Sequence, residues 1–359
     1  MKRKFFLCGL LLATFSPSLV TAQTPSSPLT SKEVVSLVYQ LPKHPELRDE
    51  VIAEIRKRGI GFPLTDGLRS LVASKSGNDA LLRRTLDEAE RRRLNPVASS
   101  LPPEREANEL LERTRNATLA AADAMPDFIV KQLIKRSRAY GSTNNWLPQD
   151  NLTVAVAYRA NFGEQYKVLA VNGIPLAQEA QQKRDYSKDV APGATSSGVE
   201  YISAVADVFK PQSETKFKLV DTDLIQNRHT LVYEYEVSRE LSQLTLRAGE
   251  GEPVAVGSRG RIWIDRELNR VIRFEQIATE IPADFPIRAA SSVIDYDWVT
   301  ISENRYLLPT YSEIQLTTIG GSMTVQNRNE IRFRSYQKFG AELKVIDEID
   351  EKDFPPEKP

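Results

Sequence analysis

Cysteine is almost absent from this chain of 359 residues, whose single thiol belongs to Cys8. Histidine is nearly as scarce, with only His44 and His229. Cys8 lies in a segment that we expect to be removed, so the mature protein would have no disulfide, thiol nucleophile or cysteine-ligated zinc. The two histidines fall in different predicted units and outside any metal-binding spacing such as H-E-x-x-H, so we predict no metal site.

Several common motifs of catalysis and cofactor binding are also missing. The sequence has no G-x-S-x-G elbow, no phosphate-binding Walker loop and no dinucleotide-binding G-x-G-x-x-G fingerprint. We therefore predict no catalytic residue and no cofactor. Lys and Arg together number 48, as do Asp and Glu, so no basic excess indicates nucleic-acid binding. Carboxylates are plentiful, which leaves carboxylate-based hydrolysis as the one enzymatic alternative.

The N-terminus has the pattern of a secretory signal peptide. Lys2, Arg3 and Lys4 precede an apolar run over 5–15, and small residues then lead to Val20-Thr21-Ala22. The apolar run is shorter than the roughly 20 residues that a membrane-spanning helix needs, and no later run reaches that length. We predict cleavage after Ala22 and export, with the periplasm favoured over the extracellular space. Without its signal peptide the chain is mildly acidic.

The mature chain divides by composition and periodicity. Thr30 followed by Glu33 is a capping-box signature, and apolar residues at helical spacing follow it. Pro96 and the pair Pro102-Pro103 indicate a linker. The predicted units are a signal peptide over 1–22, a flexible lead-in over 23–29, a small helical domain over 30–93, a linker over 94–103, an antiparallel half-barrel domain over 104–345 and an acidic, proline-rich tail over 346–359. Within the tail, 347–353 is predicted to be a solvated end.

After Pro126 the hydrophobic period changes from helical to two, which predicts a run of strands. Short connections permit hairpins only, so we predict an α+β fold with a curved, mainly antiparallel half-barrel and packed helices. The first strand fits a helix nearly as well, and a helix is predicted around 198–209. Strands are expected at 127–137, 152–160, 166–172, 215–220, 230–238, 243–247, 259–265, 270–278, 292–301, 305–317 and 322–335.

Five of these strands alternate between apolar and charged residues. Ile262 and Ile264, for example, lie opposite Arg261 and Asp265 on the same strand. One face of the sheet should therefore be apolar, and the other should be a solvated face with charge pairs across strands. A charged substrate site on that second face is the less favoured alternative.

The segment 260–265 (GRIWID), followed by 271–275 (VIRFE), resembles the strand–turn–strand of outer-membrane lipoprotein-sorting-like (LolA-like) half-barrels. The same order of further strings, 125–128, 282–286, 296–299 and 305–309, occurs in uncharacterised secreted bacterial proteins of this kind. The resemblance covers roughly 105–345, and 58–62 resembles a helical unit of similar secreted proteins. The LolA-like resemblance implies a curved antiparallel sheet with helices packed against the concave side of the sheet. The carrier relatives hold lipoprotein acyl chains in such a cavity. No catalytic residues come with this family.

We therefore interpret the protein as a non-enzymatic envelope protein that binds an acyl chain, a lipid or another apolar ligand in a half-barrel cavity. The alternative is a protein-interaction or sensing module, with the helical domain docking an envelope partner. For any single residue of the apolar face, an ordinary closed core is the competing interpretation. The candidate ligand-binding residues on that face are Ile272, Phe274, Tyr296, Trp298, Ile314 and Leu316.

Overall fold

A computed structural model describes residues 27–96, 100–141, 143–159, 163–177, 202–249, 251–320, 323–338, 349 and 354. The predicted signal peptide lies outside these residues. The helices are α1 (Ser31–Gln40), α2 (Arg48–Arg58), α3 (Asp66–Lys75), α4 (Ala80–Leu94), α5 (Glu104–Asp123) and α6 (Ile202–Phe209), with short 3₁₀ turns at Pro45–Leu47 and Pro211–Ser213. Among the described helices, none is long and apolar enough to cross a membrane.

Thirteen strands follow the first five helices in the described part of the chain, interrupted by α6. They are β1 (Phe128–Tyr140), β2 (Leu147–Arg159), β3 (Gly163–Val171), β4 (Ile174–Pro175), β5 (Lys216–Ile225), β6 (Arg228–Val237), β7 (Thr245–Leu246), β8 (Val254–Ala255), β9 (Gly257–Asp265), β10 (Arg270–Thr279), β11 (Ile287–Ile301), β12 (Asn304–Gly320) and β13 (Met323–Lys338). Every predicted strand is present. The segment after Pro126, for which a helix was nearly as plausible, forms β1.

Eleven strands form one sheet in the order β4-β3-β2-β1-β13-β12-β11-β10-β9-β6-β5, while β7 and β8 pair separately. All neighbouring strands are antiparallel, as short connections require. The sheet ends at β4 and β5 and does not close. The predicted α+β half-barrel is confirmed.

The apolar face of the sheet is covered by α5 and α6. Tyr233, Phe274 and Tyr296 are fully buried there, packed against Leu110 of α5 and Val205 of α6. The Tyr233 hydroxyl donates a hydrogen bond to the Ala107 carbonyl at 2.7 Å, so the buried phenol is satisfied. A second buried cluster continues this core towards β1, β2, β12 and β13.

Helices α1–α4, which we call the helical unit, pack around a core of their own. The Thr30 hydroxyl accepts a hydrogen bond from the Glu33 amide at 3.3 Å, and the Glu33 carboxylate accepts one from the Thr30 amide at 2.7 Å. This confirms the capping box that begins α1. Val34, Ile55 and Leu82 bring three of the helices together in the core. The exact domain boundaries stay a prediction.

A glycine allows the helical unit to approach the loop between β1 and β2. Gly77 has φ of +62°, and a Cβ built on it would lie 1.8 Å from the Asn144 carbonyl oxygen. Both the positive φ and the close approach therefore require glycine at the α3–α4 turn. Nearby, the Arg328 guanidinium donates to the Asn78 carbonyl at 3.4 Å and lies over the Trp146 ring.

The prediction of a solvated end over 347–353 is wrong for Ile349, and Phe354 just after that range is buried as well. Ile349 and Phe354 are 1% and 6% exposed, packed on the sheet with Ala155 and Leu169. The Lys167 ammonium donates to the Ile349 carbonyl at 2.6 Å. An apolar side chain in an acidic segment can still be buried where it meets an uncovered apolar patch, and overall composition does not reveal such contacts.

Candidate functional site

The apolar face is a packed core over most of its predicted ligand wall. Phe274 and Tyr296 have no exposed surface, and Phe274 stacks on Tyr235 with the ring centroids 5.5 Å apart. Ile314 and Leu316 are buried in the neighbouring cluster. Five of the six candidates therefore lie on this face, with Trp298 half-buried at its edge. Their role in ligand binding stays a prediction.

Ile272, the sixth candidate, faces the other way, so its predicted placement is wrong. A β-bulge shifts the register between Val271, which pairs with Ile264, and Arg273, which pairs with Trp263. The extra residue reverses the alternation locally. Ile272 consequently packs with Trp263 on the charged face, while Val271 takes its place in the apolar core.

A small cavity lies beside this core. A cavity of about 80 Å³ lies next to α6, where Ala204 and Val208 face Leu244 and Gln276. Ligand pockets for small molecules are typically several hundred Å³. This cavity is too small for an acyl chain.

The charged face, predicted to be solvated, is largely covered by the helical unit. Glu275, Glu313 and Arg273 are only 4%, 3% and 9% exposed. The predicted pairing of charges across strands is present: Arg273 donates to Asp295 and Arg261 donates to Glu234, each at 2.6 Å. Although the alternation misplaced Ile272, it assigned these charged residues to the correct face of the sheet. A period of two does not show, however, whether a second layer of structure covers that face.

Arginines of α2 and α4 attach the helical unit to this face. Arg56 of α2 pairs with Glu275 of β10 at 3.0 Å. Arg91 of α4 donates to both carboxylate oxygens of Asp223 on β5, at 2.8 and 3.1 Å. The indole N–H of Trp263 donates to the same carboxylate at 3.0 Å. Charge-assisted bonds of this kind are directional and hold two surfaces in one register.

One carboxyl group in this interface has a strongly altered ionisation. Burial raises the pKa of Glu88 on α4 to about 7, although the positive charge of Arg56 acts in the opposite direction. The Arg56 Nε atom lies 3.9 Å from the Glu88 carboxylate, but the stronger contact of Arg56 is with Glu275. Glu275 and Asp223 add like-charge repulsion, which raises the pKa of Glu88 further.

A cleft of about 500 Å³ lies between the helical unit and the sheet, and we call it the interlayer cleft. Its volume is within the range of small-molecule sites. Its α2 and α4 side includes Ala53, which is exposed, and its sheet side includes Val293. Apolar and charged side chains line it together. The apolar ones are Ile52, Ala53, Leu81, Phe217, Ile277 and Val293. The cationic ones are Arg48, Arg56, Arg84, Lys216, Lys218, Arg259 and Arg261, and the anionic ones are Asp49, Glu234, Glu236, Glu275 and Glu313.

The two histidines lie on different elements of the fold. His44 lies in the helical unit, exposed, with its Nδ1 3.0 Å from the Glu46 carboxylate. His229 lies on β6. In the part of the chain that the structure describes, no group of three or more His, Cys, Asp or Glu side chains could hold a metal ion.

Sequence reasoning missed the interlayer cleft. Its α4 side is formed by residues such as Arg84. In the sequence these charged positions lie beside the apolar stripe of the helix, where an ordinary helix is exposed to solvent. One signal was present: Arg91, Arg92 and Arg93 end α4 as a run of cations. A second lay in the carboxylates that alternate along the strands. Only the fold shows that these two sets of opposite charge meet.

No family model and no curated protein matches the chain. Solved structures do match, with low similarity. A candidate outer membrane lipoprotein-sorting protein domain from Vibrio parahaemolyticus is 9% identical, with a TM-score of 0.31, over 69% of this chain and 98% of that domain. A DUF1329 family protein from Desulfovibrio piger is 6% identical, with a TM-score of 0.30, over 69% and 98%. A LolA superfamily protein from Nitrosomonas europaea is 11% identical, with a TM-score of 0.26, over 70% and 97%.

The structures that match include a lipoprotein-sorting domain and a LolA superfamily protein, the kind of protein that the strand motifs resemble. These matches cover about 70% of this chain. TM-scores of 0.31 and below carry nothing about a ligand or an activity. Those have to be argued from this chain's own residues.

Proposed function

We propose that this protein is an exported, non-enzymatic binding protein of the cell envelope, which holds an amphiphilic ligand in the interlayer cleft. The volume and mixed lining of the cleft carry the proposal. A space of about 500 Å³ between two separately packed layers, with apolar and charged side chains side by side, suits a molecule that has an apolar body and a polar end.

The proposed site differs from the ligand wall predicted on the apolar face. That wall is occupied by buried side chains such as Phe274 and Tyr296, and a ligand there would have to displace core contacts. The interlayer cleft requires no such displacement. The signal-like N-terminal segment supports export, with the periplasm as the favoured destination.

Binding of decanol and decanoate, measured by isothermal titration calorimetry below their micelle concentrations, tests this function. Ala53 is exposed and lines the cleft, so Ala53→Trp should fill part of the space without disturbing either core. Ala120 is an exposed alanine on α5 outside the cleft, and Ala120→Trp serves as the matched control. We expect binding by the wild type and Ala120→Trp, and at least tenfold weaker binding by Ala53→Trp. Absence of binding of both probes to the wild type would refute the function.

An interaction module is the second candidate, favoured by one observation. Tyr140, Leu147, Ile319 and Met323 are 46%, 51%, 40% and 51% exposed at one end of the sheet. Large apolar side chains grouped on a surface are typical of protein contacts. Cross-linking in the periplasm tests this candidate. It requires one reproducible partner that is recovered with the wild type and lost with Met323→Asp.

A further inference from the structure

Arg84 differs from three other arginines of the interlayer cleft, Arg48, Arg56 and Arg261. Its Nε and Nη2 atoms are buried and make no hydrogen bond, and the described part of the chain offers it no ion pair. Arg48, Arg56 and Arg261, by contrast, each pair with a carboxylate at 3.0 Å or less. Arg84 is half-buried, and burying two of its donors without an acceptor costs free energy, so the group calls for an explanation.

The carboxylates of the cleft are already engaged. Asp49 pairs with Arg48, Glu275 with Arg56, and Glu234 with Arg261. One oxygen of Glu313 accepts a hydrogen bond from the Gln315 amide at 2.9 Å, and the other accepts from the Tyr311 hydroxyl at 3.3 Å. The fifth carboxylate, Glu236, is exposed on β6. Arg84 thus keeps its donors available within a cleft in which four of the five carboxylates are engaged by other side chains.

The surroundings of Arg84 favour an anion from outside. Seven cationic and five anionic side chains line the cleft, which leaves a positive excess. Lys216, Lys218 and Arg259 are exposed members of that lining, and they have no ion pair among the described residues. Arg84 also lies close enough to Tyr311 to oppose the rise in the pKa of that phenol, which burial and Glu313 cause. A guanidinium presents parallel N–H donors that match a carboxylate or a phosphate.

We infer that Arg84 binds the anionic end of the ligand, a carboxylate or a phosphate, while the apolar side chains of the cleft hold its chain. This inference rests on the proposed function and names its ligand class: anionic amphiphiles are selected over neutral ones of the same length. Arg84 is then paired in the complex, and the apolar lining supplies the part of the affinity that does not depend on charge.

Calorimetric titration of the full mature chain with decanoate, decyl phosphate, decanol and inorganic phosphate tests the inference. Wild type should bind the two anionic amphiphiles at least tenfold more tightly than decanol, the effect of a charge-assisted hydrogen bond of about 1.5–3 kcal/mol. Inorganic phosphate alone should bind more weakly than decyl phosphate, because it lacks the chain. Equal or tighter binding of inorganic phosphate would identify a free-anion site and overturn the inference.

Variants at two adjacent arginines separate a specific contact from general charge. Arg84→Gln should weaken decanoate binding about tenfold to a hundredfold and leave decanol unchanged, and Arg84→Lys should retain part of the preference. Arg83 is exposed on the same helix and lies outside the cleft lining, so Arg83→Gln removes the same charge as a control. We expect wild-type affinities from that control. If Arg84→Gln and wild type bind decanoate equally, the inference is wrong.

A further variant examines Glu313, a carboxylate of the cleft that contacts Tyr311. If the Arg84 side chain paired with Glu313 in solution, the substitution Glu313→Gln would release the guanidinium. The affinity for decanoate would then rise about tenfold or more. Our inference expects less than a threefold change, since Glu313 is already bonded to Tyr311 and Gln315. If decanol binds as tightly as decanoate, and Ala53→Trp abolishes the binding of both, the proposed function is intact and the role of Arg84 is refuted. Loss of binding of every amphiphile to the wild type would refute both.

Discussion

The two faces of the same sheet are covered in different ways. On the apolar face, α5 and α6 meet Tyr233, Phe274 and their neighbours in continuous contact, and a cavity of about 80 Å³ remains. On the charged face, the helical unit meets the sheet through separate ion pairs, such as Arg56 with Glu275, and leaves a cleft of about 500 Å³. In apolar packing every additional contact between atoms is stabilising, so the side chains fill the available space. An ion pair is stabilising only between particular atoms, so ion pairs can hold two layers together while a cleft remains between them.

Truncating a side chain of the filled face should have the largest effect on stability. Phe274→Ala removes a fully buried ring that stacks on Tyr235, and we expect the free energy of unfolding to fall by about 3–5 kcal/mol. Urea unfolding followed by tryptophan fluorescence measures the change. Ile277→Ala is the comparison on the other face, where the half-buried side chain lines the cleft, and it should cost about 1 kcal/mol. Equal losses would show that the two faces are packed alike.

Removing a carboxylate from the ion-paired face should have an intermediate effect. Asp223→Ala leaves the Trp263 indole N–H and the Arg91 guanidinium without their acceptor, at a cost of about 1–3 kcal/mol. The change should also increase hydrogen exchange in α4 relative to α5, because the contact joins α4 to β5. Asp223→Asn retains an acceptor for Trp263 and should lose less than Asp223→Ala. Unchanged exchange in α4 would contradict the attachment described above.

The third effect is a dependence of stability on pH, which burial of Glu88 causes although Arg56 acts in the opposite direction. The folded pKa of about 7 lies above the ordinary value of 4.5, so the folded state binds more protons between these two pH values. Stability contributed by this group is therefore present below pH 4.5 and is lost as the pH rises through 7.

Thermal unfolding of Glu88→Gln at pH 5 and at pH 8 measures this difference. The substitution removes the ionisation, so the Tm of the variant should exceed that of wild type by more at pH 8 than at pH 5. Glu90→Gln is the control, because it changes a nearby carboxylate whose pKa is lowered by Arg93. The Tm of this variant relative to wild type should not be higher at pH 8 than at pH 5. A Tm difference for Glu88→Gln that is the same at both pH values would show that Glu88 is not held in a desolvated position.

The strands were predictable because each one shows the environment of its two faces in its own sequence. In β9, for example, Ile262 and Ile264 alternate with charged neighbours, and this local pattern is enough to predict which side chains are buried. The position of Ile272 was not predictable, since the bulge depends on how β10 pairs with β9. A single extra residue is enough to reverse a face.

The interlayer cleft escaped prediction because its contacts are distant in sequence. Arg56 and Glu275 are separated by 219 positions, and Arg91 and Asp223 by 132. Nothing in the sequence near either member distinguishes a paired charge from a solvated one. The helical unit was predicted as a separate piece, and what it covers follows from the tertiary structure alone.

The place of β13 in the sheet has a consequence for the order in which the chain can fold. Its pairing with β1 extends from Phe128 opposite Lys338 to Tyr140 opposite Val325, and among the described strands β13 is the only bridge between β1–β4 and β5–β12. During synthesis from the N-terminus, β1 can pair with β2 early, but its other edge therefore remains unpaired until β13 has been made. Such long-range closure slows folding and exposes strand edges in the meantime. The two halves of the half-barrel become one sheet only in the last step.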